Sequence, residues 1–231
     1  MNKIIKLLQI LRSLHKTLYF NFKYLPFKQA CKLPILLYKP KFIKCKGKII
    51  IDSKTICTGM IKLGFNHAHA YPHSGIVFEN YGGTIVFKGR CVIGNNSSIS
   101  VGPTANLQIG DNFNATTTFK LICWYNINFD YNVRFGWDNL VLDTSFHRLK
   151  TRNGDWANKG YGNIYIGHDN WIATRCIILA GTETQPYTVV ATNSLLQKRY
   201  DKSYVLLGGS PAKIIKEGIY RDLFDDSIDY R

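Results

Sequence analysis

The stretch I-G-H-D-N-W-I-A-T-R-C-I-I-L-A-G-T-E-T-Q-P-Y-T-V-V-A-T-N-S-L, residues 166–195, falls into blocks of six. The blocks open on Ile166, Ile172, Ile178, Thr184 and Val190, with small or turn-forming residues behind each opener. The same period runs earlier through Ile93, Ile99, Ile109, Ala115, Leu121, Ile127 and Val133. A fixed period outranks local propensity, because each unit can bury its apolar edge only against its neighbours. Three such units read as one triangular coil of about eighteen residues, openers inward, with coils stacked at the usual strand separation of ~4.8 Å. The prediction is an all-β solenoid, a parallel β-helix.

The period is interrupted by a minor insertion at residues 102–108 and by a longer polar excursion at 148–163, directly after His147. Stacked coils leave two open ends that need covers. A basic, partly helical extension over 1–48 covers one end. The segment P-A-K-I-I-K-E-G-I-Y-R-D-L-F-D-D has helical spacing, so 208–231 is expected to form a turn and helix that covers the other end or packs along the side. The solenoid proper then spans 49–207.

Charge separates the same parts. Of the 30 Lys and Arg residues in the 231-residue chain, twelve lie in 1–48, where no acid occurs before Asp52, leaving 18 against all 15 acids. The basic character therefore belongs to the extension. Within it Ile4, Leu7, Leu8, Leu11, Leu14 and Leu18 recur at helical spacing among Lys3, Lys6, Arg12 and Lys16. Residues 1–24 are thus a basic amphipathic helix, suited to an anionic membrane surface or to packing on the body or a neighbouring subunit. Its uncharged runs, Leu7–Leu11 and Thr17–Phe22, are far short of the ~20 residues a membrane span needs. Nucleic acid is not an expected partner, since no reading module accompanies the charge. The six cysteines show no C-x-x-C pair, and free thiols in a reducing compartment are expected.

The chain resembles the hexapeptide-repeat, left-handed β-helix acyltransferases, and among them the O-acetyltransferases of bacterial capsule, exopolysaccharide and lipopolysaccharide sugars. The residues that carry the resemblance are I-G-H-D-N-W-I-A at 166–173, V-V-A-T-N-S-L-L at 189–196 and V-L-L-G-G-S-P-A-K-I-I-K at 205–216. With the hexads they cover roughly 80–216. Ala173 stands where the family has the glycine of W-I-G, and Ala191 and Asn193 stand where it has the glycines of V-G-A-G. The resemblance implies a left-handed helix and acetyl-CoA as co-substrate, with no metal. It further implies a homotrimer with active sites between neighbouring solenoids, acting on a sugar hydroxyl of a surface-glycan precursor. Acetyl-CoA places such an enzyme in the cytoplasm, with peripheral contact to the inner face of the cell membrane through residues 1–24. A small-molecule acceptor such as an amino sugar or serine, or a non-catalytic scaffold or glycan-binding role, are the alternatives.

Acetyl transfer to a hydroxyl requires a base for the alcohol proton, and an ordinary imidazole titrates near ~6.5. The family's D-x-x-x-H-like stretch before a loop matches Asp143 and His147, so His147 is the expected general base. Asp143 is the expected orienting carboxylate, with Asp130 or a backbone carbonyl as rivals. The oxyanion needs a donor, a backbone N–H or the indole N–H of Trp137 or Trp171. Trp137 is also expected at the substrate. The cofactor channel is expected along Trp171, Ala173, Ala191, Asn193, Gly209, Ser210, Pro211, Ala212 and Lys213. Lys213 would meet a coenzyme A phosphate, with Lys216 or Arg199 as helpers. The histidines of H-A-H-A-Y-P-H (His67, His69, His73) lack a completing ligand for a metal and suit the neighbourhood of the acceptor sugar instead.

Overall fold

The computed structural model describes residues 10–66, 70–72 and 74–228. Successive short strands belong in rotation to three sheets, here faces A, B and C, and each pairs in parallel with the strand one coil away. The result is a three-sided prism, the parallel β-helix expected from the period, left-handed as the resemblance implies. Every opener named above is buried: Ile166, Ile172, Ile178, Thr184 and Val190 in the later coils, and Ile93, Ile99, Ile109, Ala115, Leu121, Ile127 and Val133 in the earlier ones. Phe113, Phe119, Phe129 and Phe135 pack on one another at ring separations of 4.8–6.0 Å and fill the middle coils.

Tight corners require a residue with positive φ. At the corner between faces A and B this residue is Asn96, Thr118, Asp138, Arg175 and Asn193 in successive coils, with φ of 53–59°. At the corner between faces C and A the same role falls to Asn112, Asn132, Asp169, Tyr187 and Tyr204. Asn112, Asn132 and Asp169 also form a side-chain ladder at 2.8 Å per step. Asn193 is therefore a corner residue of the kind that asparagine fills with little strain.

The prism begins earlier than the period suggested. Its first coil is made by the strands Ile35–Leu37, Pro40–Cys45 and Lys48–Ile51, so the boundary lies before residue 35 and not at 49. The lysines at 41, 44, 46 and 48 are exposed on that coil, as are Ile43 and Ile50. Helix α1 (Leu14–Tyr24) and the short helix α2 (Phe27–Ala30) close this end. The C-terminal helix expected over 208–231 is not formed among the described residues. Ala212–Glu217 is instead a strand that turns back antiparallel on Val205–Gly209. The open edge of face A offers a full row of backbone partners, and this outweighs a helical spacing built largely on β-branched isoleucines. No described helix is long and apolar enough to cross a membrane.

Candidate active site

Between the face B strand Leu140–Leu142 and the face C strand Ile164–Ile166 the chain leaves the prism and returns as a two-legged arm. Bridges between Thr144 and Tyr161 and between Lys150 and Trp156 hold its legs together. The arm starts at Asp143, so His147 stands on the arm itself rather than on the coil before it. Asp143 is buried, and its carboxylate accepts the backbone N–H of Trp124 at 2.7 Å and of Tyr125 at 2.8 Å. Its own carbonyl accepts Gly162 N–H on the returning leg at 3.0 Å. Burial raises the Asp143 carboxyl above the ordinary aspartate range, and the two N–H donors oppose that rise. Both carboxylate oxygens serve the coil below. The orienting role expected of Asp143 is accordingly replaced by a clamp at the root of the arm. Asp130 does not take that role either: it lies at the C–A corner, accepting the Tyr165 hydroxyl at 3.2 Å.

His147 is exposed, its carbonyl held by the Ser145 hydroxyl at 2.6 Å, and its imidazole makes no hydrogen bond among the described residues. Beneath the arm a cleft of about 350 Å³ runs from Thr144, Ser145 and Tyr161 to Leu179, Ala180 and Gln197. Phe146 precedes the histidine with φ of 57° and sets its ring edge-on against Trp124 at 5.1 Å. Arg148 lies over the Trp156 ring at 3.6 Å and Lys150 at 4.9 Å. The arm carries Arg148, Lys150, Arg152 and Lys159 against Asp155 and the buried Asp143, so its surface is cationic.

A second group of expected residues gathers at the A–B corner. Trp137, Ala173, Ala191, Asn193 and the hairpin turn Gly209–Ser210–Pro211 each lie where a face A strand ends. Gly136, Ala173, Ala191 and Gly208 stack as a column of small residues. A Cβ on Gly136 would come 3.1 Å from the Ala173 backbone, and one on Gly208 would come 3.5 Å from the Ala191 Cβ and 2.9 Å from the Ile215 side chain, which covers the last step of the column. Such a column lets an extended chain lie close to the backbone. Ala212 is buried, while Lys213 is exposed beside Gly208 and forms no ion pair among the described residues. Arg199, the expected helper, is already paired with Asp201 at 2.5 Å and Glu183 at 3.6 Å.

Trp171 lies on face A with the Arg221 guanidinium 4.9 Å from its ring centre, and Trp137 is 43% exposed. Neither indole N–H is engaged among the described residues, so both remain available to an oxyanion. Sequence reasoning missed the pair Tyr71–Pro72, between the strands Ile61–Phe65 and Ile76–Asn80, which lies against the A–B corner beside Trp137. Tyr71 meets that ring edge-on at 5.7 Å and donates to Asp138 at 2.7 Å, and Asn95 donates to the Pro72 carbonyl at 2.6 Å. Its only signal was the aromatic and proline inside H-A-H-A-Y-P-H. His67, His69 and His73 lie outside the described residues.

The arm that carries His147 thus leaves the prism at the B–C corner, one side of the coil away from the A–B group. One side of the coil, about five residues at ~3.3 Å each, places these corners roughly 15–20 Å apart. Proton transfer needs contact near ~3 Å.

No family model matches the chain. Over 75 residues, 31% of this chain, it is 36% identical to a chloramphenicol acetyltransferase of Agrobacterium fabrum, and the match spans 34% of that relative's length. The solved structure of the polySia-specific acetyltransferase NeuO is similar at TM-score 0.53 and 19% identity, covering 81% of this chain and 74% of that one. This likeness establishes a shared fold. A hexapeptide-repeat-containing acetyltransferase of Vibrio cholerae O1, solved with acetyl coenzyme A, is similar over 96% of this chain and 91% of its own at 14% identity and TM-score 0.40.

Proposed function

We propose that the chain is an acetyl-CoA-dependent O-acetyltransferase of a glycan hydroxyl that works as a homotrimer with His147 as general base. The observation that carries the reading is the division of parts between two corners. A small-residue column with a free lysine suits a pantetheine arm and its phosphates, and an unengaged histidine stands on an arm that reaches away from the prism. A closed three-fold ring sets the arm of one copy against the A–B corner of the next and brings the two halves within contact. The similarities to a chloramphenicol acetyltransferase and to a polySia-specific acetyltransferase support acetyl transfer as the chemistry.

In this reaction the acceptor oxygen attacks the thioester carbonyl carbon while the His147 imidazole takes its proton. The tetrahedral oxyanion is met by an unengaged indole N–H, that of Trp137 or Trp171. The C–S bond then breaks, and the imidazolium returns its proton to the departing thiolate, leaving the acetyl ester and free coenzyme A. Holding both reactants in one cleft supplies most of the acceleration. The cationic arm favours an acceptor that carries negative charge.

The test is subunit mixing. His147→Ala and Lys213→Glu are each deficient at limiting acetyl-CoA. Random co-assembly in equal amounts restores intact sites only if each site draws on two copies, with about a quarter of sites then recovered. Recovery of none would mean that base and donor site belong to one copy, and the ring arrangement would fall. Absence of acetylated product from the wild type across neutral and acidic bacterial glycans would remove the glycan acceptor.

A further inference from the structure

Helix α1 is packed with its polar stripe inward. Ser13, Thr17 and Asn21 are spaced by four residues and all are buried. They cap the open edge of the first strand of face A: Ser13 Oγ accepts Lys39 N–H at 2.9 Å, and Thr17 Oγ1 accepts Leu37 N–H at 3.2 Å. Asn21 accepts Ile35 N–H at 3.2 Å and donates to the Ile35 carbonyl at 2.7 Å. Phe20 is the apolar anchor of this face, stacked on Phe42 at 5.5 Å and edge-on to Phe78 at 5.1 Å.

Committing the polar stripe to the strand edge leaves the apolar stripe outside. Leu11, Leu18 and Phe22 share the outward face at intervals of seven and four, and they are 54%, 38% and 47% exposed. Phe27 of α2 is 73% exposed and meets Phe22 at a ring separation of 5.9 Å. Cations surround the patch. Arg12, Lys23, Lys28 and Lys32 form no ion pair among the described residues, and no acid precedes Asp52 in the chain. Beside the patch, between the α1–α2 turn and the strand Lys48–Ile51, lies an open cleft of about 430 Å³ lined by Lys23, Lys48, Gln29 and Tyr24. An exposed apolar patch rimmed by one sign of charge marks an interaction surface. An apolar stripe flanked by lysines matches the boundary between acyl chains and anionic headgroups.

We propose that this end of the prism docks on an anionic lipid bilayer. Leu11, Leu18, Phe22 and Phe27 enter the headgroup boundary, and the cleft between Lys23 and Lys48 receives a lipid phosphate. The surface lies at the end of the solenoid, away from His147 and from the A–B corner of the later coils. Its failure would leave the acetyltransferase reading untouched.

The experiment is co-sedimentation of the full chain with phosphatidylcholine vesicles, pure or containing phosphatidylglycerol. Binding is expected only to the anionic vesicles and is expected to weaken as salt is raised. Each lysine removed in Lys23→Gln and Lys48→Gln lowers the partition coefficient roughly fivefold. Phe22→Ser with Phe27→Ser lowers it at least about tenfold, through the lost apolar contact. These side chains are exposed, so unchanged melting shows that each variant is folded. Lys198→Gln with Lys202→Gln, at the opposite end, leaves binding unchanged. Addition of inorganic phosphate weakens binding if the cleft reads the headgroup phosphate. The proposal is overturned by no binding to anionic vesicles, or by binding that ignores the Phe22, Phe27, Lys23 and Lys48 variants. It is equally overturned if Phe22→Ser abolishes a concentration-dependent self-association while vesicle binding stays at background. In that case the occupant is a second copy.

Discussion

Replacing Asp143 separates two roles that its spacing from His147 confounds. The carboxylate accepts two backbone N–H groups, from Trp124 and Tyr125, at 2.7 and 2.8 Å. Hydrogen bonds to a charged acceptor contribute about 1.5–3 kcal/mol each, so Asp143→Ala forfeits roughly 3–6 kcal/mol. Burial, which raises this carboxyl, works against part of that contribution. At ~2–4 °C per kcal/mol for a chain of this size, the melting temperature falls by at most roughly 6–24 °C. Asp143→Asn keeps one acceptor oxygen and loses about half as much. The sign of the pH dependence follows from the raised folded-state value. The stability that a raised carboxyl contributes is present below the unfolded aspartate pKa and is lost as pH rises through the folded one. The asparagine variant lacks that contribution, so its deficit relative to wild type is larger at pH 4 than at pH 7. Scanning calorimetry at both pH values, with kcat and KM for acetyl transfer, checks this. The reasoning is refuted if either variant melts like wild type while the pH profile of kcat/KM shifts, because Asp143 would then act on the imidazole and not on the arm.

His147→Ala should cost a factor of about 10²–10⁴ in kcat and leave the melting temperature within about 1 °C, since the side chain is exposed and unbonded; steady-state transfer assays and calorimetry read the two. Lys213→Ala should weaken acetyl-CoA binding by about 1.5–3 kcal/mol, roughly 10- to 150-fold in Kd by titration calorimetry, with little effect on a saturated kcat. Asn193→Gly should melt like wild type, whereas Asn193→Val should cost about 1–2 kcal/mol, because only the valine is strained at φ of 59°. Asn21→Leu leaves the Ile35 N–H and carbonyl without partners and should cost about 2–4 kcal/mol, with light scattering reporting association through the uncovered edge.

The period was legible because the prism enforces it. A strand that loses register by one residue turns its opener outward, so Ile166, Ile172, Ile178, Thr184 and Val190 announce both the strands and their inward faces. The first coil carries no such mark. Its alternation in P-K-F-I-K-C places the apolar Phe42 and Cys45 among lysines and reads as part of a basic tail, and its identity as a coil comes from pairing of its three strands with Ile61–Phe65, Ile76–Asn80 and Thr84–Phe87. Of the helix expected over 1–24, residues 1–9 lie outside the described residues; over Leu14–Tyr24 it was legible as a helix, but its packed face was not. Apolar spacing points to the leucines, whereas the edge of the strand Ile35–Leu37 demands hydrogen-bond partners and selects Ser13, Thr17 and Asn21. The tail 212–217 went the same way, from helical spacing to a strand, for want of a partner at the other open edge.

These differences share one cause, and it bears on the site. Wherever the chain departs from the regular ladder, backbone N–H and C=O groups are left to satisfy, and nearby polar side chains are drawn into that service. Asp143 sits at such a departure. A spacing argument gave it to the imidazole, but two unpaired amides one coil below have the stronger claim on a buried carboxylate. The same accounting removes Asp130 and Arg199 from the chemistry, because their partners are already present. It leaves His147, Lys213 and the indole N–H groups of Trp137 and Trp171, polar groups with no hydrogen-bond or ion-pair partner among the described residues. A base, a cation for phosphates and a neutral donor for an oxyanion are what transfer of an acetyl group to a hydroxyl needs. Their spread over two corners of one prism is what the proposed ring would reconcile, by setting the arm of one copy against the A–B corner of the next.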